Sequence, residues 1–363
     1  MTLTGIAILI SVGALGAQTP VLPDLPLMNS NSARVEKDWL VTPPEIKAGV
    51  YRSANENEIV LSNGLIRRVW RIAPNAATVA YDNLMKETSV IRGVKPEAVV
   101  ELDGERFDVG GLLGQPDYAY LKSEWVDALT ADSKAFRCTG VETGKIVERF
   151  PWKRVRHAAD LPWPPPGASV TFRYEPPEGK CPGIKISVHY EMYDGIPLLC
   201  KWISVANNGD KPVQLNTYTS EILAAVEFDS SVDSPDLWNL PNIHVESDFG
   251  CAEQTPSSAR RTVYWMPDPQ YTTQVNYLLK SPVMLECRLP IGPDISIAPG
   301  HIFESFRTFE LVQDSTDRER KGLAQRRIYR TVAPWITENP IMLHVRNSEP
   351  EAVRRAIDQC ADV

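Results

Sequence analysis

The sequence predicts a mainly β protein: a large antiparallel β-sandwich, followed by a helical connector and a single orphan βα unit. Three observations predict it. Apolar and polar residues alternate over much of the stretch from Trp39 to Val312. Turn signals such as Asp103-Gly104, Asp194-Gly195 and Asn207-Asn208-Gly209-Asp210 punctuate that stretch. Only after Val312 does the apolar period become helical. Alternation sends successive side chains to opposite faces of a strand, giving sheets with one buried and one wet face. Many short strands with frequent turns build a sandwich. The 363 residues also include 30 Pro and only 21 Gly, which suits turns and edge strands better than long helices.

Composition narrows the function. Hydrophobic residues make up 43% and charged residues 23%, so the chain can form a core and is not disordered throughout. With 38 basic against 46 acidic side chains the net charge is −8, and no basic cluster stands out. Duplex binding needs such a cluster, so no nucleic acid is expected as a partner.

Taken in order, residues 5–17 (GIAILISVGALGA) are an apolar run too short to span a bilayer, which takes about 20 residues, but long enough for the core of a signal peptide. We read 1–17 as a signal peptide, although its first residues, MTLT, carry no Lys or Arg. The mature protein is then exported, periplasmic or extracellular, with no membrane in its mature form. Pro-rich residues 18–38 read as a flexible segment. The sandwich domain runs over 39–312, with strand candidates at 58–62, 65–72, 76–81, 97–102, 106–109, 170–174, 212–215, 273–280 and 302–312. Its clearest part is a hairpin over 183–205: Ile184, Ile186, Val188, Tyr190 and Met192 form the inner face, and Lys185, Ser187, His189 and Glu191 the wet one. Two long loops, 158–167 and 229–242, interrupt the pattern.

The connector spans 313–338. Thr316-x-x-Glu319 is a capping-box signature, and 317–330 reads as an exposed helix of mixed charge. Over 339–363, Pro340–Val345 reads as a buried strand. Ser348-x-x-Glu351 with Pro350 then opens a helix bearing Val353, Ile357 and Cys360 on one side. One βα unit cannot cover both faces of a parallel strand, so this part reads as the start of a further α/β domain, prone to association through exposed apolar surface. The six cysteines, at 138, 181, 200, 251, 287 and 360, include no C-x-x-C pair; no zinc site is expected, and most read as buried thiols.

The order of several segments resembles the α-galactosidase-like glycoside hydrolases. They are 62–66 (SNGLI), 81–85 (YDNLM), 204–215 (SVANNGDKPVQL) with Ser220-Glu221, 298–311 (APGHIFESFRTFEL) and 329–345 (YRTVAPWITENPIMLHV). The resemblance implies a β-supersandwich of the galactose-mutarotase type, a helical connector and the truncated start of a (β/α)8 barrel. It implies carbohydrate as the partner and an N-terminal accessory domain of a secreted hydrolase. In such enzymes the catalytic carboxylates stand on later barrel strands, so no catalytic residue is assigned here. A free-standing carbohydrate-binding or scaffolding sandwich is the alternative; a mutarotase-like isomerase, which needs a converging His and Glu, is the second.

Six residues are candidates for substrate binding. Asp82 and Asn83 end a strand, where carboxylate and amide suit sugar hydroxyls, against an Asx turn. Trp163 and Trp238 lie in Pro-bounded loops, where an indole face suits a pyranose, against plain core cover. His344 and Arg346 follow the expected parallel strand, the end at which barrels place their chemistry. The alternating His244, Glu246 and Asp248 put three ligand types on one strand face, but such alternation is ordinarily the wet face of a strand; no metal and no cofactor are expected. No G-x-S-x-G, P-loop or dinucleotide fingerprint occurs.

Overall fold

Alternation along the sequence becomes antiparallel pairing in the computed structural model, which describes residues 20–28, 37–42, 44–45, 47–154, 160–230, 232, 234–249, 260–336 and 343–362. Strands β1 (Gly49–Arg52), β2 (Glu58–Ser62), β3 (Ile66–Arg71), β4 (Ala77–Asn83) and β5 (Thr88–Ser89) form a five-stranded meander. Next come β6 (Ile91–Gly93), β7 (Ala98–Leu102), β8 (Glu105–Val109) and a helical turn, α1 (Ser123–Val126). They are followed by β9 (Arg137–Lys145), β10 (Gly167–Glu175), β11 (Ile184–Tyr193), β12 (Leu198–Asn207) and β13 (Val213–Ala225). The last strands are β14 (Ile243–Ser247), β15 (Val263–Met266), β16 (Met284–Ile297), β17 (Ile302–Glu304) and β18 (Thr308–Val312). A seven-stranded sheet runs β14-β18-β12-β11-β10-β9 with β17 also on β12, and a six-stranded sheet runs β15-β16-β13-β7-β8 with β6 on β13.

The expected hairpin is β11 and β12, with Ile184 opposite Asn207 and Met192 opposite Leu199. Gly195 closes its turn at φ 69°, a conformation that favours glycine. Ile184, Ile186, Val188, Tyr190 and Met192 are fully buried against residues of the other two sheets, among them Trp70, Val100 and Leu285. Trp70 centres that core, its ring 5.1 Å from Phe172 and 4.7 Å from Tyr190.

The opposite face of the hairpin corrects the reading of 183–205. Lys185 is exposed, but Glu191 is buried and His189 half-buried. Helix α2 (Arg318–Val332) contributes Ala324, Ile328 and Val332 to a second core with Trp39, Cys200, Trp202, Phe309 and Leu311. A helix roofing a sheet leaves no trace in the strand's own alternation. The cap of α2 is also shifted by one residue: Asp317, not Thr316, accepts from the Arg320 backbone N–H at 2.8 Å. Arg320 then clasps both Asp38 and Asp314, while the Trp39 indole donates to Asp314 at 2.9 Å.

Three further expectations differ from the structure. Within 18–38, residues 20–28 lie along the sandwich rather than loose: Val21 bridges Gly140, Leu27 bridges Arg52, and Leu25 is buried. Residues 273–280 form turns instead of a strand, because Asn276 takes the Lys280 and Ser281 N–H groups on its side-chain oxygen and donates to the Tyr271 carbonyl. The 302–312 strand breaks into β17 and β18 at Ser305, whose hydroxyl accepts the Ile203 N–H.

The proposed signal peptide and residues 340–342 lie outside the described residues. Leu343 to Val345 form no strand. Helix α3 (Pro350–Asp362) does form, and none of its residues is buried; Ile357 on its apolar stripe is 61% exposed. Cys138, Cys200 and Cys287 are buried free thiols, Cys181 and Cys360 are free and less covered, and Cys251 lies outside the described residues. No helix among the described residues is long and apolar enough to cross a membrane.

Candidate functional site

The densest polar cluster lies inside the sandwich. Arg68 of β3 donates to Glu221 of β13 at 2.8 and 3.3 Å and to Thr78 at 2.9 Å. Lys201 of β12 donates to Glu221 at 2.8 Å and to the Glu97 carbonyl at 2.6 Å. Glu97, in turn, accepts from the Tyr190 hydroxyl and the Trp70 indole. Glu310 of β18 stands 3.8 Å from Arg68. Burial pushes Glu221 upward, but Arg68 and Lys201 outweigh it and hold the carboxyl below the usual range. For Glu310, burial and the charge of Glu221 act together and hold it well above that range. With Glu310 protonated, two cations face two carboxylates. Paired carboxyls of this kind could serve acid–base chemistry, yet all five side chains are at most 1% exposed. A substrate cannot reach them, so the cluster is a closed polar core.

An open site lies at one end of the sandwich, where the β4–β5 turn, the chain leaving β13, the entry to β14 and the exit from β18 meet. They enclose a cleft of 530 Å³. Its apolar wall includes Val90, Val226, Phe228 and Pro241, and Phe228 is 44% exposed. The polar wall is built on two amides. Asn83 closes an Asx turn by accepting the Met85 N–H at 3.1 Å and donates to the Gln313 carbonyl at 3.1 Å. Asn242 donates to the Gln313 and Ser315 carbonyls, which fixes its amide and leaves its Oδ1 buried without a donor. Lys86, Thr88, Gln313 and Thr316 are further polar residues of the lining. An apolar wall facing a few placed polar groups suits a small ligand with one apolar face and several hydroxyls.

Of the six residues singled out in the sequence, only Asn83 lines this cleft. Asp82, its neighbour, is held by Arg67 at 2.6 Å. The Trp163 indole donates to the Phe150 carbonyl at 3.2 Å, and its ring packs against Phe150 and Trp335 at 5.3 and 5.2 Å. Trp163 is thus part of an aromatic cluster at the surface, in which Phe150 keeps 43% and Trp335 38% exposure. Trp238 follows the 3-10 turn Pro235–Leu237 and is half-buried outside the cleft. His344 and Arg346 stand exposed on irregular chain, and Leu343 to Val345 form no strand.

His244 and Glu246 correct the wet-face reading of β14. His244 Nε2 lies 2.8 Å from Glu246, which also accepts from the Tyr329 hydroxyl and the Gln325 amide of α2. Burial would raise Glu246, but those bonds hold it below its usual range. Asp248 instead accepts the Arg307 backbone N–H. The trio therefore fastens a helix and a bend, and no metal-binding group of three such residues occurs among the described residues. Sequence reasoning missed Asn242, Phe228 and Gln313; the dipeptide Asp82-Asn83 was the only local signal of the cleft.

No family model matches the chain, and no curated protein matches it. Among solved structures it is similar to the GH36 α-galactosidase AgaB from Geobacillus stearothermophilus, at 10% identity and a TM-score of 0.38, over 74% of this chain and 41% of that one. A variant of AgaA from the same organism, in complex with raffinose, gives 10% identity and a TM-score of 0.36, over 71% and 41%. The galactosidase domain of the α-galactosidase-sucrose kinase AgaSK gives 8% and 0.35, over 72% and 41%. The chain thus spans about two fifths of the length of these proteins. Likeness at such identities and scores does not extend to activity.

Proposed function

We propose that this chain is a carbohydrate-associated β-sandwich domain of an exported α-galactosidase-like glycoside hydrolase, and that the cleft beside Asn83 holds a saccharide. The cleft carries the reading. A pyranose has an apolar CH face for Phe228 and Val226, and hydroxyls that can accept from Lys86 and Gln313. The order of the resembling segments from Ser62 to Val345 supports the hydrolase class, and the apolar run at 5–17 supports export.

The domain itself is non-hydrolytic in this reading. Glycosidase carboxyls must flank the bond that breaks, and the Glu97, Glu221 and Glu310 cluster is sealed. An isomerase needs a His and a Glu open to a sugar. His189 instead lies on the outer face, bonded to Thr171 and Ser204.

Titration with raffinose, run beside an aryl-α-galactoside assay, tests both halves. Saturable binding without turnover is expected. Turnover abolished by a single Asp or Glu substitution, or no binding of any α-galactoside, would overturn the reading.

A further inference from the structure

Arg307 sits at the bend between β17 and β18, on the outer side of the seven-stranded sheet. Its guanidinium carbon lies 4.2 Å from the centre of the Trp202 ring. The same indole stacks on His189, with ring centres 4.7 Å apart and planes at 13°. The main chain here is pinned on both sides: the Arg307 N–H donates to Asp248 at 2.7 Å, and the Asp248 N–H donates to the Arg307 carbonyl at 3.1 Å.

What the side chains lack is an acceptor. Arg307 Nη1 and Trp202 Nε1 are both buried with no hydrogen-bond partner, and Trp202 is only 8% exposed. No carboxylate among the described residues pairs with Arg307, whereas the buried guanidinium groups of Arg68, Arg71 and Arg92 are all ion-paired. Glu191, whose carboxyl feels the charge of Arg307, is occupied by the Tyr193 hydroxyl at 2.9 Å, and burial raises it above the usual carboxylate range. His189 adds no second positive charge near neutral pH, because burial and then Arg307 push its imidazole down to about 4. A buried guanidinium N–H and a buried indole N–H side by side without acceptors are costly. Arg307 as a whole is only partly covered, so part of the residue stays open to solvent beside the buried Nη1.

We propose that Arg307 and Trp202 form an anion-binding site for a carboxylate, carried either by a uronic-acid sugar or by a free organic acid. The planar guanidinium suits two carboxylate oxygens at once, which a lysine ammonium does not. The site is separate from the cleft and does not depend on the reading given to it.

The test is a titration of the ¹⁵N-labelled full chain, following the Trp202 indole N–H signal identified with Trp202→Phe. Acetate, galacturonate and neutral galactose are each added at constant ionic strength in chloride. The expected result is a saturable shift with acetate and galacturonate, none with galactose, and loss of the shift in Arg307→Met. Arg307→Lys keeps the charge and should weaken binding at least tenfold. Galacturonate binding at least tenfold tighter than acetate assigns a uronic acid; equal binding assigns a free acid. Removal of a buried N–H that has no acceptor should leave the melting temperature of Arg307→Met unchanged or raise it. No saturable shift, the same shift in Arg307→Met, or equal competition by chloride (an adventitious ion only) overturns the proposal.

Discussion

Arg68 donates to Glu221 at 2.8 Å, and both side chains are sealed from solvent in the middle of the sandwich. The pair joins the five-stranded meander to the six-stranded sheet, with Lys201 and Glu310 of the seven-stranded sheet beside it. Three sheets thus meet at one ionic cluster.

Breaking that pair should be severe. Arg68→Met leaves Glu221 facing Lys201 alone and strips Thr78 of its partner. Loss of one member of a buried pair costs about 3–5 kcal/mol. Urea unfolding should show a loss of that size, and a loss below about 1 kcal/mol would contradict the account.

Glu310→Gln should behave in the opposite way. Burial and the charge of Glu221 hold Glu310 above the usual carboxylate range, so the folded protein keeps a proton that the unfolded chain releases near pH 4.3. The folded state binds more protons, and stability from this group falls as pH rises above that point. A glutamine does not titrate, so the variant should gain on the parent between about pH 5 and 8, by up to about 1.4 kcal/mol per pH unit. Denaturation curves at three pH values within that window suffice. A difference that stays constant or shrinks with pH counts against a protonated Glu310.

Tyr329→Phe tests how α2 is fastened. The Tyr329 hydroxyl lies 2.7 and 2.9 Å from the two oxygens of Glu246, which burial would otherwise penalise. Its removal should cost about 1–3 kcal/mol and speed amide exchange in α2 before the β11–β12 hairpin. Unchanged exchange in α2 would mean that Ala324, Ile328 and Val332 hold the helix unaided.

Removal of residues 343–363 should leave the melting temperature within about 2 °C, since α3 buries no residue and a change of 1 kcal/mol moves so large a fold by only about 2–4 °C. Solubility should improve as Ile357 and Val353 leave the surface. Strong exchange protection of α3 in the intact chain would show that it has a partner.

Much of the sandwich was legible because a strand declares its faces by period. Lys201 shows how that rule misleads when only charge is read. It shares a strand face with Leu199 and Ile203, so its position points inward, and it is fully buried; its partners Glu97 and Glu221 lie on other stretches of the chain. The cover over Cys200 and Trp202 was hidden for the same reason, since α2 arrives from beyond β18. Asn83 was legible through a local turn, whereas Asn242, Phe228 and Gln313 join it only through tertiary contacts. Trp163, singled out for stacking on a sugar ring, packs against Phe150 and Trp335.

The cleft bears the central claim, and calorimetric titration of raffinose into the parent chain and into Phe228→Ala and Gln313→Ala variants tests it most directly. Both residues line the cleft and neither is buried, so the variants should keep the parent's melting temperature. The account predicts saturable binding by the parent with Kd near or below about 1 mM, about −4 kcal/mol, and at least a fivefold loss in each variant. Binding of equal strength in all three proteins, or none in the parent, would contradict it.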